Sequence, residues 1–181
     1  MNLPNKITVL RVVLIPFFIV FMMMSASWAK WAALAVFVAA SLTDFVDGHL
    51  ARKLNMITDF GKFMDPLADK MLVAAAMILL TEEGIIPAWI VIVIIGREFI
   101  VSGFRMLAAE KGRVIAAGWW GKIKTAETMV MLVIVLLFQA IGLSGGAYFV
   151  IEQVLIYLAL VLTVISMIDY FTKNKGVIES C

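Results

Sequence analysis

Six apolar runs, each about long enough to cross a bilayer, follow one another along the 181 residues. A helix needs about 20 residues to span the hydrocarbon core, and only helices or closed barrels satisfy their own backbone polar groups there. The runs are Ile7 to Met24, Trp28 to Leu50, Gly61 to Leu80, Ile85 to Leu107, Thr125 to Leu143 and Ala147 to Phe171. They are continuous rather than alternating with period two, which selects helices over a barrel. With 64% hydrophobic and 15% charged residues, little sequence is left for a soluble domain. The expected fold is all-α: a polytopic membrane protein, one domain over residues 1–181, built as a bundle of six transmembrane helices.

Three connections are short and polar or glycine-containing, at Ser25 to Ser27, Thr81 to Gly84 and Ser144 to Gly146, as tight helix hairpins require. The other two, around Ala51 to Phe60 and Ala108 to Lys124, are longer and basic. Lys6, Arg52, Lys53, Lys62, Arg105, Lys111, Arg113, Lys122, Lys124, Lys173 and Lys175 fall on one side, and Lys30 alone falls on the other. The positive-inside rule makes the basic side, with both termini, cytoplasmic. The first run resembles a signal peptide, but Arg11 and Pro16 interrupt it and only Ser25-Ala26-Ser27 offers a cleavage site, so an uncleaved first span is expected. The single cysteine, Cys181, permits no intrachain disulfide. A net charge of +2 is small and topology accounts for the basic residues, so no nucleic-acid partner is expected. The twelve methionines read as packing filler.

Four aspartates, Asp44, Asp47, Asp65 and Asp69, lie near the ends of the second and third spans. On insertion scales a charge there costs about 2.5–3.5 kcal/mol, so each needs a reason. At about 3.6 residues per turn, Asp44 and Asp47 lie roughly 60° apart around the helix axis, and Asp65 and Asp69 roughly 40°. Each pair therefore shares a face, and consecutive antiparallel helices would gather four carboxylates at one membrane surface. A divalent cation is the natural countercharge, and all-oxygen ligands favour Mg²⁺, Mn²⁺ or Ca²⁺. The plain alternative is helix-end carboxylates that reach water or pair with Arg52, Lys62 and Lys70. Asp59 falls in a connection and can face water.

The run Asp44-x2-Asp47-Gly48-x2-Ala51-Arg52-x8-Gly61-x3-Asp65-x3-Asp69 resembles, with no position missing, the signature of the CDP-alcohol phosphotransferase family of integral membrane enzymes. The resemblance implies attack by a hydroxyl on the β-phosphorus of a CDP-linked lipid, with release of CMP. It implies one or two Mg²⁺ or Mn²⁺ ions on Asp44, Asp47, Asp65 and Asp69, with Asp69 also the general base. An aspartate is a weak base, so orientation must help to activate the hydroxyl. Gly48 and Gly61 occupy the signature's glycine positions, where a missing Cβ lets a base or diphosphate approach the backbone; with Ala51 they would serve helix packing equally well. Arg52 suits a phosphate, or serves topology. Thr58 matches a CDP-contacting threonine of relatives. His49, at a variable position, reads as interfacial.

In the first span, Pro4-Asn5-x2-Thr8-x2-Arg11 places polar residues at spacing three. Asn5 and Thr8 can cap and edge the helix while Arg11 snorkels. The resemblance instead makes them a wall of the CDP-diacylglycerol pocket. In the fourth span, Arg97 and Glu98 stand well inside apolar sequence and should face the interior, supporting the pocket or pairing with a neighbouring helix. Arg105, Arg113, Lys122 and Lys124 would form a basic pocket for a phosphorylated acceptor, or serve as positive-inside charges.

The pairing of Arg97-Glu98-Phe99-x-Val101-Ser102-Gly103-x-Arg105 with Gly121-Lys122-x-Lys124-Thr125 resembles the branch of the family whose acceptor is glycerol 3-phosphate. Phe104 stands where leucine is expected, and Gly118-Trp119-Trp120 is bulkier than usual. Family members are homodimers, so a homodimer is expected. Rival readings are transfer to serine, inositol or inositol phosphate, an intramembrane prenyltransferase with Asp-rich motifs, and a divalent-cation transporter or channel with a carboxylate site. A transporter would leave Gly48, Arg52, Gly61 and the basic cluster unused.

Overall fold

The computed structural model describes residues 3–54, 59–110, 115 and 118–175, with side chains at 9–43, 67, 68, 70–109, 115 and 118–175. Among the described residues every regular element is a helix: α1 (Leu3–Met23), α2 (Ser27–Leu54), α3 (Asp59–Glu82), α4 (Ala88–Glu110), α5 (Trp119–Ile141) and α6 (Gly146–Lys173). Each apolar run becomes one helix. Two of them, α5 and α6, are long and apolar enough to cross a membrane by length and composition among the described residues. The apolar sequence of α4 is interrupted by Arg97, Glu98 and Arg105.

Helix ends follow capping chemistry more than hydropathy. α4 starts at Ala88, after Pro87, whose carbonyl accepts from the Ile90 and Val91 N–H groups; a proline at a helix start forfeits only a donor that would be unpaired anyway. α5 begins at Trp119 rather than Thr125, and the Lys122 N–H already bonds the Gly118 carbonyl. Lys122 and Lys124 therefore stand in its opening turns, not in the preceding connection. Gly142 and Gly145, both at φ +78°, turn the chain between α5 and α6 in a region where other residues are strained. α1 runs through Pro16 without a break.

The chain divides into two compact units. The first comprises residues 1–82 and 132–144, the second residues 83–131 and 145–181. In the first unit α1 packs on α2 and α3, and α2 also meets α3. Each helix contributes a buried stripe at helical spacing. That of α1 is Arg11, Ile15, Phe18 and Met22; that of α2 is Ala29, Ala33, Phe37 and Ala40; that of α3 includes Ala68, Leu72, Ala76 and Leu80. The alanines let helix backbones approach, and Phe18 fills the space against Phe37 with ring centroids 5.7 Å apart.

In the second unit α4 packs on α6. Ile90, Ile94, Arg97, Val101 and Ala108 are buried along α4, and Glu152, Ile156, Ala159, Thr163, Ser166 and Tyr170 along α6. The steps of four and three residues along α6 form one continuous inward face. Its hydroxyls bond within the helix, Thr163 to the Ala159 carbonyl and Ser166 to the Thr163 carbonyl. Outward faces are apolar: Ile92 of α4 is 70% exposed and Ile168 of α6 59%.

Candidate active site

Register places the four aspartates in the first unit. On α2 the buried stripe Ala29, Ala33, Phe37, Ala40 continues by steps of four and three to Asp44 and Asp47. On α3, stepping back three from Leu72 gives Asp69, and three from Ala68 gives Asp65. On α1, stepping back three from the buried Arg11 gives Thr8, and three more gives Asn5. These are sequence steps from described buried positions: three or four residues in every case. Only four residues separate α2 from α3, and a short link between packed helices makes them antiparallel neighbours. Asp44 and Asp47 stand in the closing turns of one, Asp65 and Asp69 in the opening turns of the other.

The side chains of Asn5, Thr8, Asp44, Asp47, Gly48, Ala51, Arg52, Gly61, Asp65 and Asp69 lie outside the described residues, as do Thr58 and Arg113 altogether. Gly48, Ala51 and Arg52 belong to α2 and Gly61 to α3. Among the described residues no three His, Cys, Asp or Glu side chains converge on one point. The donor chemistry of the four aspartates fits hard divalent cations, which prefer carboxylate oxygen, with two carboxylates contributed by each of two consecutive helices. Arg11 is 1% exposed on α1, which packs against both of those helices. It is buried rather than snorkelling, and a guanidinium there has the sign an acidic cluster or a diphosphate requires.

The second unit carries an ionic relay. The Glu98 carboxylate accepts through Oε1 from Arg97 on its own helix at 3.1 Å and from the Lys124 ammonium of α5 at 2.6 Å. Both cations are buried, at 7% and 2% exposure. The pairing of Arg97 and Glu98 with a neighbouring helix is realised, and Lys124 is the partner. Gly121 stands beneath the relay: a Cβ there would lie 3.5 Å from Arg97 Nη2. Glu127, one turn beyond Lys124 and within its electrostatic reach, has both carboxylate oxygens buried without a hydrogen-bond partner among the described residues. Arg105 and Lys122 are exposed. The two local departures have structural places. The Phe104 ring meets Phe171 of α6 edge-on at 5.6 Å and 86°, and Trp119 and Trp120 stand exposed at the start of α5.

Sequence reasoning found α6 as a span but named no functional residue on it. Asp169 Oδ1 accepts from Lys173 at 2.7 Å, and Asp169 Oδ2 lies 3.2 Å from where a Cβ of Gly118 would be, bringing the last turns of α6 against the start of α5. Tyr170, beside it, is 7% exposed. The available signal was Thr163, Ser166 and Tyr170, polar residues at steps of three and four inside an apolar run.

Comparison with known proteins gives the family of the chain. The family model for CDP-alcohol phosphatidyltransferase matches residues 1–165. A Bacillus subtilis protein is 43% identical over 96% of this chain and 95% of its own, and an Escherichia coli K12 protein 40% identical over 97% and 96%. A Pseudomonas fluorescens protein is 48% identical over 75% of this chain and 72% of its own. Each of the three carries the name CDP-diacylglycerol--glycerol-3-phosphate 3-phosphatidyltransferase.

Proposed function

The chain belongs to the CDP-alcohol phosphatidyltransferase family, and we propose that it acts as a phosphatidylglycerophosphate synthase, joining the phosphatidyl group of CDP-diacylglycerol to glycerol 3-phosphate with release of CMP. The observation that carries this reading is the family match over residues 1–165, and the spacing of Asp44 and Asp47 on α2 and of Asp65 and Asp69 on α3 supports it. The names of the relatives supply the acceptor.

Asp44, Asp47, Asp65 and Asp69 would hold Mg²⁺ or Mn²⁺. When bound, the ion neutralises the diphosphate and the charge that builds on the leaving CMP. Asn5, Thr8 and Arg11 of α1, with Gly48, Ala51, Arg52, Thr58 and Gly61, serve the CDP-diacylglycerol side. Asp69 takes the proton from the glycerol 1-hydroxyl as that oxygen attacks the β-phosphorus. Its modest basicity suffices because the hydroxyl is held in place, and orientation supplies what proton affinity does not. Arg105, Arg113, Lys122 and Lys124 serve the acceptor phosphate. Lys124 does so through the Glu98 relay, which fixes its position and that of Arg97. One displacement transfers the group with no covalent enzyme intermediate, and the phosphorus is inverted.

The two units work as one domain of residues 1–181 in a bacterial-type cell membrane, with the six helices as spans, the apolar outward faces toward lipid, both termini and the site toward the cytoplasm, and the protein a homodimer. The test is CMP release by purified protein in detergent with CDP-diacylglycerol, Mg²⁺ and a panel of alcohols, beside Asp69→Asn. Release with glycerol 3-phosphate, lost at least about 100-fold in the variant, is expected for a general base. Release with serine or an inositol acceptor instead would keep the family and overturn the acceptor, while ion flux without CMP release would favour transport.

A further inference from the structure

The last helix carries a polar group that the proposed reaction has not yet used. Tyr170 closes the buried face of α6, and its hydroxyl is buried with no hydrogen-bond partner among the described residues. An orphaned buried hydroxyl costs about 1–3 kcal/mol, so it is retained at the expense of stability. Its ring is fixed by Phe171, at 6.0 Å between centroids, and Phe171 is in turn packed edge-on by Phe104 of α4. The hydroxyl lies within electrostatic reach of both Arg105 and Arg97. Arg97 shows the same incompleteness: its Nε–H is buried and unpartnered among the described residues, although its Nη1 serves Glu98. The Phe104–Phe171–Tyr170 ring contacts bring the Arg105 turn of α4 to the Tyr170 turn of α6, and two donors there, the Tyr170 hydroxyl and Arg97 Nε–H, lack acceptors among the described residues. What completes such a site is a small anion with several acceptor oxygens, and a phosphate monoester matches it in charge and geometry.

We propose that Tyr170 is a binding residue for the phosphate of the acceptor, its hydroxyl donating to a phosphate oxygen held by Arg105. This rests on the reading of the protein as a transferase with a phosphorylated acceptor. It gives α6 a part in choosing that acceptor, since a phenol adds selectivity for an oxyanion at little cost in side-chain freedom. A neutral alcohol such as inositol, with no oxyanion, leaves both buried donors without a charged acceptor.

The test is Tyr170→Phe, which removes one oxygen and keeps the ring stack. Steady-state kinetics should show KM for glycerol 3-phosphate raised about tenfold, equivalent to about 1.4 kcal/mol, with KM for CDP-diacylglycerol within about twofold of native. Calorimetric titration of glycerol 3-phosphate into each protein should show the same weakening, with unchanged unfolding midpoints. Unchanged acceptor KM and affinity would overturn the proposal. So would a rise in both KM values accompanied by a lower midpoint, because that is the behaviour of a packing residue. If native protein releases no CMP with glycerol 3-phosphate, the proposed function fails, yet the titration still decides the Tyr170 contact: weaker binding in the variant sustains it, and equal or no binding sinks it.

Discussion

Glu98→Gln should be the most destabilising small change in the second unit. The native carboxylate accepts from Arg97 at 3.1 Å and Lys124 at 2.6 Å, with side-chain exposures of 8% and 3% for the cations and 23% for Glu98. The glutamine amide keeps the shape and one acceptor oxygen but removes the charge, leaving two buried cations without their shared acid. Breaking a buried pair by removing one partner costs about 3–5 kcal/mol. Glu98 is open enough for water to recover part of this, so the expectation is about 3 kcal/mol. For a chain of this length that lowers the unfolding midpoint by about 6–12 °C, at about 2–4 °C per kcal/mol. The assay is thermal unfolding in detergent, with Lys124→Met and the double variant completing a cycle. Lys124→Met alone should be milder, since Arg97 still pairs with Glu98. When Glu98→Gln is already present, the same lysine change removes a stranded cation, so it should recover at least about 1 kcal/mol. Recovery is partial, because Glu127 also feels the Lys124 charge. A drop below about 2 °C in Glu98→Gln, or strict additivity in the double variant, would refute the view that Glu98 holds the two cations in place.

A chelator in excess should abolish CMP release and either Mg²⁺ or Mn²⁺ restore it, while Asp44→Asn should need at least about tenfold more cation for half-maximal rate, read by metal titration. Phe104→Leu removes the edge-on contact with Phe171 at 5.6 Å, worth about 0.5–1.5 kcal/mol, and should lower the unfolding midpoint by a few degrees without altering KM for CDP-diacylglycerol.

The existence and order of the helices were legible because an apolar run of about 20 residues has few other fates. Their ends were not. Hydropathy marks where a helix would leave an apolar medium, whereas α5 winds on through Gly121, Lys122 and Lys124 to Trp119, since nothing in those residues stops a helix. That difference moved Lys124 from a connection into the first turns of α5, within reach of Glu98, and so changed its chemistry from an exposed cation to a buried one. The pairing itself spans 26 residues. Sequence could say that Arg97 and Glu98 face inward, from the cost of facing outward, but not which cation meets them.

The aspartates were legible for a different reason: their spacing is local. Steps of three and four fix a shared face within one helix, so each Asp pair could be read as a pair from spacing alone. The same rule marks Tyr170, four residues after the buried Ser166 and seven after Thr163. Apolar residues line every face of such helices and so lose their power to mark the inside. Polar residues keep that power, because only the interior or an aqueous edge can satisfy them. In a chain this apolar, the inward face is therefore read from the polar minority, and the residues that specify packing and those that carry chemistry are found by the same count.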